Sequence, residues 1–137
     1  MNKIQKLGLA ALFSAVFAFG HGSVTPQEVD TKGLEPLGEE WLDENPYKTD
    51  NKKAVEIGEY AYGENCARCH GLNAVSGGIA PDLRALEAGF DGDEWFMERA
   101  RNGAVRNGNV YMPPFEGVLN QEAMWAIRTY ILSLPKE

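Results

Sequence analysis

Asn65-Cys-Ala-Arg-Cys-His70 gathers both cysteines of this 137-residue chain and one of its two histidines into six consecutive residues. Three chemistries use such a cluster: a redox-active disulfide, a structural zinc site, and covalent attachment of haem. A thioredoxin-like CxxC sits where a strand feeds a helix in a domain built around a sheet, and it needs no histidine directly after the second cysteine. A structural zinc site needs four protein ligands. Cys66, Cys69 and His70 supply three, and the fourth would have to be His21 or a carboxylate. Neither reading is excluded, but both leave much of the chain unexplained. The haem reading uses all three residues and their spacing. Positions i and i+3 share a face of a helical turn, so Cys66 and Cys69 can form thioethers to the two vinyl groups along one porphyrin edge. His70 is then carried beneath the ring as the proximal iron ligand.

The sixth ligand follows by elimination. His21 is the only other histidine and lies far along an irregular segment. Met97 and Met124 fall in predicted helices, where methionine usually fills core gaps. Met112 stands in Val110-Tyr-Met-Pro-Pro-Phe115, a stretch expected to be a loop stiffened by Pro113 and Pro114. The prolines limit the entropy lost in holding a thioether against the open face of the iron. The expected cofactor-binding set is therefore Cys66, Cys69, His70 and Met112, with His70 and Met112 on the metal.

Several elements must position these groups. Residues 1–20 carry Lys3 and Lys6, a 13-residue apolar run from Leu7 to Phe19 and no acid, followed by Ala18-Phe19-Gly20, which reads as a cleaved signal peptide. The run is too short for a spanning helix, which takes roughly 20 residues. The expectation is an exported, soluble, periplasmic protein starting at His21, with no membrane anchor after cleavage. The whole chain has a net charge of −7; without Lys3 and Lys6, 11 basic residues face 20 acidic ones, a net −9 that argues against a nucleic-acid partner. Residues 21–50 hold eight acids against Lys32 and Lys48, and Pro26, Gly33, Pro36, Gly38 and Pro46 break any period. Leu34, Leu37, Trp41, Leu42 and Tyr47 make this an irregular acidic arm lying on the main domain, residues 51–137.

Within that domain, Asp50 or Asn51 can cap a helix whose face is Ala54, Ile57, Gly58, Ala61 and Tyr62 and which runs into the cysteine cluster. A second helix is expected over about Asp93 to Arg101, bounded by Gly92 and Gly103. A third is capped by Asn120, carries Ala123, Ile127, Tyr130, Ile131 and Leu134 as its stripe, and stops at Pro135. Residues 71–81 and 103–117, rich in Gly, Pro and Asn, are expected to be loop, and no alternating run is long enough for a sheet.

Cys66-Ala-Arg-Cys-His70, Pro81-Asp-Leu83, Met112-Pro113 after a Gly-rich loop, and a terminal helix with Ile127 and Tyr130 together resemble the class I c-type cytochromes. Gly58 and Tyr62 stand eight and four positions before the first cysteine, where that family has Gly and an aromatic residue. The resemblance runs from about residue 54 to the end. It implies an all-α fold, a few helices wrapped around one covalent haem c. It also implies contact between Gly58 or Tyr62 and the Ile127 to Tyr130 face, and a hydrogen bond from the proximal histidine to the Pro81 carbonyl, which fixes the ring. The arm from Val29 to Trp41, with Ser76 to Asp82 and Asn107 to Phe115, looks like the small cytochromes c that accept electrons from quinoprotein (PQQ-dependent) alcohol dehydrogenases. That likeness implies such a donor, and a terminal oxidase or another cytochrome as acceptor.

With His70 and Met112 on the iron, no position is left for substrate, oxygen or peroxide, so the expected function is one-electron transfer and not enzymic catalysis. Thioether sulfur and an apolar pocket favour the ferrous state and raise the potential. The alternative is an open-site haem enzyme or gas-binding haem protein, which needs Met112 unbound and a polar distal group that only His21 could supply. Arg84, Arg99, Arg101 and Arg106 flank the haem segments. One or two of them could face the propionates; equally, Arg99 and Arg101 could form a solvated helix face.

Overall fold

Asn51 starts α1 (Lys52–Asn65): its extended backbone lets the side chain accept from the Ala54 N–H at 3.1 Å, satisfying one of the donors left open by a helix N-terminus. Asn120 does the same for α4 (Gln121–Ser133), accepting from the Ala123 N–H at 2.9 Å. These helices belong to a computed structural model that describes residues 24–136. The leader-like residues 1–20 and His21 lie outside the described residues.

The most extensive packing in the molecule is α1 against α4. Ala54, Ile57, Gly58, Ala61 and Tyr62 are buried on one side, and Ala123, Ala126, Ile127, Tyr130 and Ile131 on the other. Each buried isoleucine contributes about 1.5–3 kcal/mol by leaving water. The helices cross at Gly58, where an added Cβ would lie 1.9 Å from the Ala126 carbonyl oxygen and 2.9 Å from the Tyr130 Cβ. One turn on, the Tyr62 and Tyr130 rings meet at 5.4 Å between centroids, tilted by 49°. The contact implied by the resemblance is present.

Between these helices, α2 (Ala67–His70) is a single turn, followed by short 3₁₀ turns at Leu72–Ala74 and Leu83–Ala85. Next comes α3 (Phe90–Asn102), which carries Asp91 and Asp93 in its first turn and Arg99 and Arg101 in its last, each pair placed to complement the helix dipole. It begins three residues before the expected Asp93, and Gly92 lies inside it instead of bounding it. Gly92 serves close packing there, since a Cβ would come within 1.9 Å of the Glu87 carbonyl oxygen.

The segment expected to be loop after Gly103 contains a hairpin, so the fold is helical with a small sheet and not wholly α. Strands β1 (Ala104–Arg106) and β2 (Asn109–Met112) pair antiparallel, with a bulge at Ala104/Val105. Asn107 (φ 51°) and Gly108 (φ 77°) form the turn. An Asn-Gly pair with both φ positive is the two-residue turn whose twist matches that of paired strands, and this outweighs the loop-like composition around it.

Residues 24–50 form no helix or strand and lie across α4 and α3. The Leu37 N–H donates to Glu122 Oε1 at 2.8 Å, Gln121 Nε2 donates to the carbonyls of Gly38 and Glu40 at 2.8 Å each, and Asn45 Nδ2 donates to Thr129 Oγ1 at 2.9 Å. Under Asn45 sits a buried ion pair. Arg128, fully buried, donates Nε to Asp93 Oδ1 at 2.8 Å and Nη2 to the Glu87 carbonyl, while Asp93 Oδ2 accepts from the Asn45 N–H at 3.0 Å. Among the described residues no helix is long and apolar enough to cross a membrane.

Candidate haem site

The end of α1 delivers the cluster. The Cys66 N–H donates to the Tyr62 carbonyl at 2.8 Å, and the Cys66 carbonyl accepts from the N–H of Cys69 at 3.2 Å and of His70 at 2.9 Å. Cys66, Cys69 and His70 thus lie on one turn. The two sulfurs form no disulfide. Burial, and then the neighbouring Cys69, push the Cys66 thiol up to about 12, so it stays neutral at physiological pH. A redox-active CxxC requires the opposite, a thiol lowered enough to attack as thiolate.

His70 is buried and its Nδ1 lies 2.8 Å from the Pro81 carbonyl oxygen. A carbonyl only accepts, so Nδ1 carries a proton, which leaves Nε2 as the nitrogen able to bind a metal. Pro81 is itself held by its neighbours. Asp82 caps the Leu83–Ala85 turn by accepting from the Arg84 N–H at 3.0 Å, and its carboxylate receives the Arg84 guanidinium at 3.0 and 2.7 Å. On the other side, Tyr62 donates its hydroxyl to the Gly71 carbonyl at 2.6 Å, and Tyr130 donates to Asn73 Oδ1 at 3.1 Å. Burial, with Cys66 next, raises the Tyr62 phenol well above its ordinary range, so it remains a donor.

The guanidinium of Arg84 holds the Asp82 carboxyl down to about 2, against an ordinary 3.8. A carboxyl depressed in the folded state adds stability that is fully present above its unfolded value and is lost as pH falls through its folded value. Asp82 therefore makes the fold more stable as pH rises from about 2 to about 4. Arg84→Gln should shrink that part of the acid-unfolding curve, leaving stability above pH 5 with the same slope. Carboxyl-carbon NMR titration of Asp82 in both proteins measures this directly.

Met112 belongs to another element. It is the last residue of β2, partly buried at the edge of the core that Cys66 also borders. The hairpin brings it there, and Pro113 and Pro114 follow directly. Its carbonyl sits against Gly103, the C-cap of α3 at φ +68°, where a Cβ would come within 2.3 Å of the Met112 oxygen. Met97 and Met124 are buried core residues of α3 and α4.

All four arginines weighed for the propionates are engaged with protein. Arg84 holds Asp82, Arg99 lies 5.4 Å from the Trp95 ring and donates to the Gly103 carbonyl at 3.2 Å, Arg101 pairs with Glu116, and Arg106 lies 5.0 Å from the Tyr111 ring. The buried Arg128–Asp93–Asn45 group is scarcely legible in the sequence. Its one visible sign is an arginine among the apolar residues 123–131 of the terminal helix.

The donor set fits haem c better than its rivals. Among the described residues no three His, Cys, Asp or Glu side chains converge where a metal ion could be held, so a zinc site finds no fourth ligand there. What remains is a pair of thiols one turn apart and an imidazole oriented by the Pro81 carbonyl through Nδ1.

Comparison with known proteins points the same way. Residues 53–131 match the family described as cytochrome c oxidase, cbb3-type, subunit III. The chain is 62% identical over 131 residues to cytochrome c550 of Pseudomonas aeruginosa, covering 93% of this chain and 90% of that one. It is 34% identical over 79 residues to quinohemoprotein alcohol dehydrogenase ADH IIB of Pseudomonas putida, covering 58% of this chain but 11% of the dehydrogenase. Cytochrome c6 of Euglena gracilis is 34% identical over 76 residues, 54% of this chain and 85% of that one. No solved structure was found to match. The chain belongs to the class I c-type cytochromes, single-haem electron carriers and not enzymes, and its CxxCH-type site of Cys66, Cys69 and His70 carries one covalently bound haem c.

Proposed function

We propose that the protein is a periplasmic one-electron carrier with His70 and Met112 as axial ligands, taking electrons from a quinoprotein alcohol dehydrogenase and passing them to a terminal oxidase or another cytochrome. The observation that carries the ligand assignment is the bond from His70 Nδ1 to the Pro81 carbonyl at 2.8 Å, which orients the ring and leaves Nε2 for iron. Cys66 and Cys69 hold the porphyrin edge as thioethers. Met112, the one mature methionine outside a helix, supplies the second axial donor.

Haem supplies an iron that changes between ferrous and ferric states. The chain's task is to keep both axial positions filled, to exclude water with the α1–α4 core, and to present an edge to partners. Leu72 and Ile79, on the segments either side of the His70–Pro81 contact, are 79% and 81% exposed. Apolar groups beside the cofactor suit the small, brief interfaces of redox encounters, which bury less than about 1,200 Å².

The donor class is supported by relatives: a segment like this chain occurs within quinohemoprotein alcohol dehydrogenases of Pseudomonas putida. The periplasmic location rests on the charged and apolar character of residues 1–20. Stopped-flow mixing of oxidised holo-protein with a reduced quinoprotein alcohol dehydrogenase should show saturable reduction, at least about tenfold faster than by a nicotinamide-dependent dehydrogenase. Equal, slow rates with both would remove the donor assignment.

A further inference from the structure

The segment leaving Met112 is fastened to the end of α3 and, through it, to the arm. The Phe115 N–H donates to the Ala100 carbonyl at 3.0 Å and the Glu116 N–H to the Arg101 carbonyl at 3.4 Å. Four residues past Met112, the Glu116 carboxylate takes a two-point contact from Arg101, Nε to Oε2 at 2.9 Å and Nη2 to Oε1 at 3.3 Å. The same guanidinium lies 4.2 Å from the centroid of the Trp41 ring, on the arm. One cation thus joins three segments distant in sequence: residue 41, the last turn of α3, and the chain just after the sulfur donor.

We infer that Trp41, Arg101 and Glu116 form a clamp that positions the Met112 segment and holds the thioether on the iron, making the arm a regulator of sixth-ligand release. This rests on Met112 being the sixth ligand. The three are positioning residues, since they act through the Met112 segment and not on the metal. The contacts are partly exposed, with the Arg101 side chain 30% and the Glu116 side chain 42% accessible. Each is therefore worth about a two- to fivefold change in an equilibrium, and both together about tenfold. Such a weak hold is suited to control of ligand release, because it can be altered without unfolding the core. The ionic half also weakens with salt, as Debye screening shortens to about 3 Å at 1 M.

Imidazole binding to ferric holo-protein tests this, because imidazole enters only when sulfur leaves. Glu116→Gln and Trp41→Leu should each raise imidazole affinity about two- to fivefold, and Arg101→Met, which removes both contacts, about tenfold. Wild type in 1 M salt should move toward Glu116→Gln. Ile131→Val, which thins the buried α1–α4 contact without touching the clamp, should lower urea stability yet leave imidazole affinity unchanged. The inference is overturned if Arg101→Met stays within twofold of wild type, or if Ile131→Val raises affinity as much as Arg101→Met, which would make ligand release a by-product of general loosening. If wild type itself binds imidazole as readily as Met112→Ala, both the clamp and the ligand assignment fall. If wild type resists imidazole and only the clamp variants are silent, the clamp alone falls.

Discussion

Met112→Ala should convert the protein from one that ignores carbon monoxide into one whose ferrous form binds it on mixing, and should lower its reduction potential by about 120 mV. On the proposed ligation, the first effect follows from vacating an axial position that no other methionine or histidine among the described residues is free to refill. Met97 and Met124 are buried in α3 and α4, and among the described residues the only histidine is His70, engaged with Pro81. The second follows from the preference of thioether sulfur for ferrous iron. A preference of about 100-fold, at 59 mV per tenfold for one electron, gives the figure. Spectroelectrochemical titration measures it. Met97→Ala provides the contrast: loss of a buried methionine costs about 2–5 kcal/mol of stability, and leaves carbon monoxide excluded.

The second large effect concerns the helix crossing. Gly58→Ala should destabilise the holo-protein by more than about 3 kcal/mol, whereas Gly63→Ala, one and a half turns along the same helix, should stabilise it. Replacing glycine by alanine inside an exposed helix gains about 0.5–1 kcal/mol from backbone entropy. At Gly63 nothing lies within 4 Å of the added carbon, so that gain is realised. At Gly58 the added carbon would stand 1.9 Å from the Ala126 oxygen, which is backbone and cannot rotate away. α1 and α4 must then separate along their whole contact, and the loss exceeds the entropy gain several-fold. For a domain near 100 residues this corresponds to a fall in Tm of more than about 12 °C for Gly58→Ala, read from thermal melts of both variants.

What could be read from sequence is what local physics decides. Asn51 and Asn120 cap helices because their side chains reach two or three residues ahead, and that needs no tertiary knowledge. Cys66 and His70 fall on one turn because spacing sets it. The Gly58–Ala126 contact and the His70–Pro81 bond each join separate segments, and only the resemblance implies them. The β1–β2 hairpin was missed because its cue, Asn107-Gly108, lay among residues that otherwise signal loop, and its strands, mostly exposed, show no buried alternation. Gly92 looks like a boundary because glycine breaks isolated helices, whereas here the Glu87 carbonyl leaves no room for a Cβ. The Arg128–Asp93–Asn45 group is joined by contacts 35 and 48 residues apart in sequence. No periodicity announces a buried ion pair. The arm's path over α4 was equally hidden: Gln121 receives it through backbone carbonyls at Gly38 and Glu40, and every sequence has those groups.

The central claim is that this fold closes both faces of its iron, so that only electrons pass. The most direct test is the visible spectrum of purified, reduced wild-type protein before and after addition of carbon monoxide. A Soret band typical of low-spin six-coordinate haem, unchanged by the gas over minutes, is the predicted result. A colourless protein, or an immediate shift of that band, would contradict it.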